Sequence, residues 1–302
     1  MAEFDTDSQL RSIIFARLQQ LKSRYGDRIP ATELSVGVTL NGERIPIWNY
    51  QKGIFKPAVL GRNGAAISIQ TSADSPYEDE QDVEAGHFIY KYQGQDPNHS
   101  DNRALRTAME LRRPLVYLMA VDPGVYDAIF PVYVTSDDPT ATQVTLVADQ
   151  PTSGLGFVDT PMAAVGRAYA TRAVMQRLHQ QHFRRIVLDA YGDRCAICRL
   201  NYLELLDAAH ILEDKHPKGE PVVTNGLGMC KIHHSAFDAD ILGIDPDARV
   251  HIRLDVLKKK DGPMLKHGLQ ELHGSRLVLP RRPQLRPNRD FLAERFDKFS
   301  AA

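Results

Sequence analysis

Cys195-Ala-Ile-Cys198, followed by Cys230-Lys-Ile-His233, constrains this chain more than any other stretch. Two sulfur donors two residues apart, and a thiol–imidazole pair about thirty residues on, have the spacing of a closed tetrahedral Zn²⁺ site. The chain's three cysteines all fall inside this stretch, so they form no disulfide framework and a reducing compartment is expected. A module this small has little core. Metal held by Cys195, Cys198, Cys230 and His233 would supply much of its folding free energy, on the order of 10 kcal/mol in zinc-finger peptides. Between and after the two halves stand His210, Asn225 and His234, residue types used in metal-assisted hydrolysis.

The 302 residues are enough for two domains, by the usual length prior. Hydrophobic content of 43% and charged content of 25% allow ordinary buried cores. No stretch reaches the roughly 20 apolar residues of a membrane span. The acidic start, MAEFDTDSQL, lacks a signal-peptide core, so a bacterial-type cytoplasmic location without a membrane partner is expected. A net charge of −1 alone argues against a nucleic-acid partner, but its distribution is uneven. Asp74, Glu78, Asp79, Glu80, Asp82, Glu84, Asp96 and Asp101 face the single base Lys91 within one segment. The last third carries Arg253, Lys258, Lys259, Lys260, Lys266, Arg276, Arg281, Arg282, Arg286 and Arg289. Different parts of the surface are therefore suited to different partners.

Leu10, Ile14, Leu18, Leu21 and Tyr25 predict an amphipathic helix over 8–25, capped by Asp7 or Ser8 and ended by Gly26. It is expected to pack on the next domain; dimerisation is the other use of such a face. From 29 to about 147 come short β-branched and aromatic runs at 35–40, 66–69, 87–90, 115–119 and 129–134, broken by turn residues. They read as a strongly curved or barrel-like sheet, with a helix near 102–112 lying against it. Residues 150–157 read as a linker, and Thr160-Pro161 starts a helix. That helix carries Arg167, Arg172, Arg177, Arg184 and Arg185 towards Ala190, with a break suggested near His182. Its arginines suit either a phosphate backbone or an ordinary solvated face. The proline- and arginine-rich stretch 279–287 wraps a surface, and a last helix presents Phe291, Leu292, Phe296 and Phe299 on one side.

Ala209-His210-Ile211, Asn225-Gly226-Leu227 and His233-His234-Ser-Ala-Phe237-Asp238, in order after Cys-x-x-Cys, resemble the HNH (ββα-metal) endonucleases over roughly 183–245. The resemblance implies that His210, at a strand end, is the general base. It makes His234 a ligand of one Mg²⁺ or Mn²⁺ ion, and Asn225 the residue that fixes the loop and orients His210. His234 follows the zinc ligand His233 and so points about 100° further round a helix. Many such enzymes place an acid or second histidine directly before the base. Here Ala209 stands there, leaving Asp207, Asp238 or water to complete the metal shell.

The segment from Tyr77 to Gly94, with Gly86-His-Phe-Ile and then Asn102-Arg-Ala-Leu105, resembles the SRA domain, which flips 5-methylcytosine out of duplex DNA. The resemblance implies a sandwich of the base between Tyr77 and Tyr92, replacing lost stacking. Asp82 would accept the cytosine amino group, with Glu80 as the other placement. Trp48 and Tyr50 are near enough in character to line such a pocket but are not assigned to it.

The whole reads as α+β: an N-terminal SRA/PUA-like curved β-barrel domain and a C-terminal zinc-stapled ββα-metal (HNH) domain. Its expected boundaries are 1–28 for the N-terminal helix, 29–150 for the reader, 151–190 for a helical connector and 191–302 for the nuclease with its basic tail. The function implied is that of a modification-dependent (type IV-like, McrA-type) restriction endonuclease acting on double-stranded DNA with modified cytosine. A homodimer is expected, since one HNH site cuts one strand. Two other readings fit the same residues: a modified-DNA reader whose HNH module is an inactive staple, and a nuclease without modification dependence.

Overall fold

The computed structural model describes residues 5–71, 81–82, 87–149 and 161–301. The chain divides into two compact units, one ending at Arg177 and the other beginning at Leu178.

The first unit opens with helix α1 (Thr6–Tyr25). Leu10, Ile14, Leu18 and Leu21 form its buried stripe, each at most 2% exposed, as their three- and four-residue spacing predicts. Gly26 ends the helix at φ 62°, its N–H donating to the Lys22 carbonyl, a backbone state that glycine takes without a Cβ penalty. The start differs from the expectation. Asp5 is the N-cap, accepting from the Ser8 N–H at 2.6 Å, because Asp7 is engaged further in by Arg11 at 2.9 Å. The Arg11 guanidinium is buried and also donates to the carbonyls of Ala66 and Pro114, so every charge it carries inward is met.

Ten strands follow among the described residues: β1 (Ile29–Pro30), β2 (Val38–Leu40), β3 (Glu43–Ile45), β4 (Ile54–Phe55), β5 (Ser68–Thr71), β6 (Gln81–Asp82), β7 (His87–Lys91), β8 (Leu115–Asp122), β9 (Val125–Asp138) and β10 (Gln143–Ala148). Helix α2 (Ala31–Leu34) follows β1, and α3 (Ser100–Glu110) separates β7 from β8. β2 and β3 form a hairpin of their own. The rest make one sheet, ordered β4-β5-β8-β9-β10-β7-β6, with β1 added beside β9. β5 runs parallel to β8 and the other pairs are antiparallel. The sheet curls into a half-barrel and, among the described residues, its end strands β4 and β6 do not meet. The curvature expected from the sequence is therefore present without closure. The α1 stripe packs with Ile47, Ile67, Val116, Leu118, Ala128 and Phe130. Trp48 belongs to this core, its ring 4.9 Å from Tyr126, whereas Tyr50 is exposed.

β9 begins well before the run at 129–134 that marks it in the sequence. Asp127 lies inside it with no exposure, held by Lys22 at 3.0 Å and Arg177 at 3.1 Å. Burial raises the carboxyl's pKa while the two cations oppose that shift. Arg177 reaches it from helix α4 (Pro161–Ala190), which runs unbroken through His182, contrary to the suggested break. Three arginines of α4 serve the fold. Arg167 stands 4.0 Å from Asp149, Arg177 binds Asp127, and Arg184 donates to the carbonyls of Leu203 and Leu206. The division between the units falls inside this helix.

In the second unit, β11 (Leu206–His210) pairs antiparallel with β12 (Gly226–Cys230), and α5 (Lys231–Asp238) follows without a break. The C-terminal half of α4 packs directly on β12. A Cβ on Gly226 would stand 2.4 Å from Val187 Cγ2, and one on Gly228 would stand 3.0 Å from Tyr191. The two glycines are thus a close-approach device. A second hairpin, β13 (Leu242–Ile244) and β14 (Val250–Ile252), precedes the short helices α6 (Leu254–Leu257) and α7 (Pro263–Gly268), and α8 (Arg289–Ser300) closes the unit. Leu292 enters the core, and the buried Arg295 clasps the end of α5 through Asp240 and the Phe237 carbonyl. No helix among the described residues is long and apolar enough to cross a membrane.

Candidate active site and metal centre

The Cys195–Cys198 turn, the end of β12 and the first turn of α5 bring four donors together. Cys195 Sγ is 3.4 Å and Cys230 Sγ 3.2 Å from His233 Nδ1, and Cys198 Sγ is 4.0 Å from Cys230 Sγ. All four donor atoms lie within 4.8 Å of one another. Tetrahedral Zn²⁺ with its usual bond lengths needs edges of about 3.6 Å for S···N and about 3.8 Å for S···S. The donor set fits that ion. His233 Nε2 lies 2.9 Å from the Gly268 carbonyl, which fixes the proton on Nε2 and leaves Nδ1 as the ligand atom, the usual outer-shell arrangement of a metal-binding histidine. Hydrogen bonds from Cys198 and Cys230 hold the Cys195 thiol far below the ordinary thiol range. Against burial, which lowers it, the Cys195 and Cys230 sulfurs raise His233 to about 10.

The second constellation lies on the same hairpin and helix. His210 is the last residue of β11. Its ring stacks on Phe183 of α4, centroids 3.8 Å apart and planes 15° from parallel. Burial lowers its pKa, as does the nearby charge of His234, while Asp214, Asp238 and Asp207 oppose the shift. The imidazole is thus held neutral and able to accept a proton near pH 7. His234, one turn into α5, has a carboxylate at each ring nitrogen: Asp207 Oδ2 is 3.1 Å from Nδ1 and Asp238 Oδ2 is 3.2 Å from Nε2. Asp207 first, then Asp238, raises His234 to about 9. The two carboxylates are hard oxygen donors suited to Mg²⁺ or Mn²⁺, and the imidazole is a borderline nitrogen donor beside them. They approach from opposite sides of the ring, so among the described residues only the Cys/His group is already gathered round one point.

Asn225 is fully buried, and all its side-chain hydrogen bonds go to backbone. Its Oδ1 accepts from the Leu212 N–H at 2.9 Å, and its Nδ2 donates to the carbonyls of Leu212 and Glu220 at 3.0 and 3.1 Å. It pins the loop joining β11 to β12 rather than touching His210. Phe183 and Asp214, which flank His210, carry no motif letter in the sequence. The signal for Phe183 is indirect: Gly226 leaves room for a bulky helix residue, and a Cβ there would meet the Phe183 ring at 2.9 Å. Gly226→Ala is therefore expected to cost about 1–3 kcal/mol and to displace the ring on which His210 rests. A thermal melt and a cleavage assay check both effects.

In the first unit, the motif halves that carry the reader resemblance meet. Asn102 is buried, accepts from the Gln93 N–H at 2.8 Å and donates to the carbonyls of Gln93 and Asp96. This pins the turn directly after Tyr92. Tyr92 is 8% exposed, and its hydroxyl donates to Asp137, which Arg106 of α3 also pairs at 2.8 Å. Burial, then the Asp137 carboxylate, pushes the Tyr92 hydroxyl pKa up. The Arg106–Asp137 pair escaped the sequence reading, because nothing local links a helix arginine to a strand aspartate. Tyr77, Glu80 and the side chain of Asp82 lie outside the described residues.

Residues 195–245 match the family model described as HNH endonuclease. The chain carries an HNH endonuclease domain, as the sequence leads one to expect. No curated protein matches the chain. Among solved structures it is similar to the "Modification dependent TagI restriction endonuclease", at 18% identity over 83% of this chain and 86% of that one, with a TM-score of 0.31. It is also similar to the "Type IV phosphorothioation-dependent restriction endonuclease ScoMcrA", at 12% identity over 80% of this chain and 52% of that one, with a TM-score of 0.25. At TM-scores this low, neither likeness establishes a shared arrangement of the chain.

Proposed function

We propose that the chain is a modification-dependent DNA endonuclease. A reader at 29–150 binds duplex DNA carrying a modified cytosine, and a connector at 151–190 joins it to the nuclease at 191–302. The observation that carries the catalytic half is one hairpin and helix presenting a neutral His210, and His234 between two carboxylates, beside a Cys/His set of zinc dimensions. In this reading Zn²⁺ held by Cys195, Cys198, Cys230 and His233 closes the fold. His210 takes a proton from the attacking water. His234, with Asp207 or Asp238 in place of the acid missing at Ala209, holds Mg²⁺ or Mn²⁺. That ion would stabilise charge on the leaving 3′-oxygen. Asn225 keeps the loop that carries His210 in shape.

The reader half rests on the Tyr77–Gly94 and Asn102-Arg-Ala-Leu105 resemblance and on Asn102 bracing the turn beside Tyr92. Tyr77 and Tyr92 would sandwich the flipped base while Asp82 accepts its amino group. The exposed Lys258, Lys259, Lys260, Arg281 and Arg282 suit phosphate contacts. Two copies would supply the two cuts of a double-strand break. Binding to matched duplexes with and without 5-methylcytosine tests the reader: the modified duplex is expected to bind more tightly. Asp82→Asn should weaken that binding by about 5- to 150-fold, the 1–3 kcal/mol of a base-edge contact. Equal binding of the two duplexes would remove the reader.

A further inference from the structure

We propose that Asp214 is the positioning carboxylate of the general base: it engages His210 at Nε2 and leaves Nδ1 to face the reacting water. The inference rests on the proposed role of His210. Asp214 Oδ1 lies 2.8 Å from His210 Nε2, four residues further along the chain, in the loop that Asn225 pins. Nε2 is buried and, in the rotamers present, has no hydrogen bond of good direction. The carboxylate oxygen therefore sits within reach but off the N–H line. Asp214 is 46% exposed against 19% for the ring, so the carboxylate rather than the ring has room to turn onto the N–H line. A carboxylate this close favours the tautomer protonated at Nε2. The lone pair then resides on Nδ1, the ring nitrogen that Asp214 does not engage.

Phe183 fixes the plane of the ring, and Asp214 fixes its edge. When Nδ1 takes the water proton, the oxygen bonds to phosphorus and the bond to the 3′-oxygen breaks. Asp214 then faces an imidazolium, which it stabilises without taking a proton itself. Asp214 thus places a carboxylate on the base itself, distinct from the pair on His234.

Full-length wild type, Asp214→Asn, Asp214→Glu and His210→Ala, each with Zn²⁺ bound, are compared in single-turnover cleavage with Mg²⁺ or Mn²⁺. DNA affinity without the divalent ion and the ¹⁵N signature of the His210 ring are measured alongside. Asp214→Asn is expected to slow cleavage about 10- to 100-fold, part of the general-base contribution. DNA affinity should stay unchanged, Asp214→Glu should recover most of the rate, and the ring should lose its single Nε2–H signature. Wild-type cleavage by Asp214→Asn, or an unchanged ring signature, overturns the proposal. Full activity of His210→Ala would instead overturn the assignment of the base, and the ring signature reads the Asp214 contact even then.

Discussion

Replacing His210 by alanine is expected to lower the cleavage rate by about 10²- to 10⁴-fold, the range for a positioned general base, with DNA affinity unchanged. The residue ends β11 with its ring 19% exposed and stacked on Phe183. Alanine therefore leaves the strand pairing and the metal centre intact, and the loss reports chemistry rather than unfolding. The wild-type pH profile carries a matching sign. Burial depresses the His210 pKa below its ordinary value, so the base stays neutral to lower pH than a free histidine. The rate should fall with acid only as pH drops through a midpoint below about 6.5. An acid limb above that value, or an active His210→Ala variant, would place the base elsewhere.

With Zn²⁺ held by the Cys/His cluster as proposed, its removal has the largest expected effect on stability. Chelation, or Cys230→Ser, should abolish cooperative folding of the second unit. The roughly 10 kcal/mol that such a site contributes is comparable with the 5–15 kcal/mol by which whole domains are stable. Cys230 is doubly placed, as a donor and as the N-cap residue of α5, the helix that carries His234. Its loss therefore also unties the active site. The first unit has its own core under α1 and should still unfold as a separate transition. Calorimetry with a count of bound metal checks this, and an unchanged second transition after chelation would show that the cluster carries no structural ion.

The hairpin and helix of the nuclease were legible because a cysteine pair, a histidine, an asparagine and two adjacent histidines follow one another as an ordered set of motifs, although their partners lie 13 to 38 residues away. The α1 stripe was legible because its three- and four-residue spacing is itself local. What escaped depends on distant partners. Asp127 looks like a strand breaker until Lys22 and Arg177 neutralise it inside β9. Asp5 became the N-cap because the buried Arg11 engages Asp7. Phe183 and Asp214 flank His210 through packing and loop geometry that no motif spacing records. The arginines of α4 read as a surface row, but Arg167, Arg177 and Arg184 are engaged with neighbours inside their own units.

The most direct measurement is cleavage of two plasmid preparations of identical sequence, one carrying 5-methylcytosine and one unmodified, by purified protein with Mg²⁺ or Mn²⁺. Cutting confined to the modified plasmid and lost in His210→Ala is the result predicted, and equal cutting of both plasmids would contradict it.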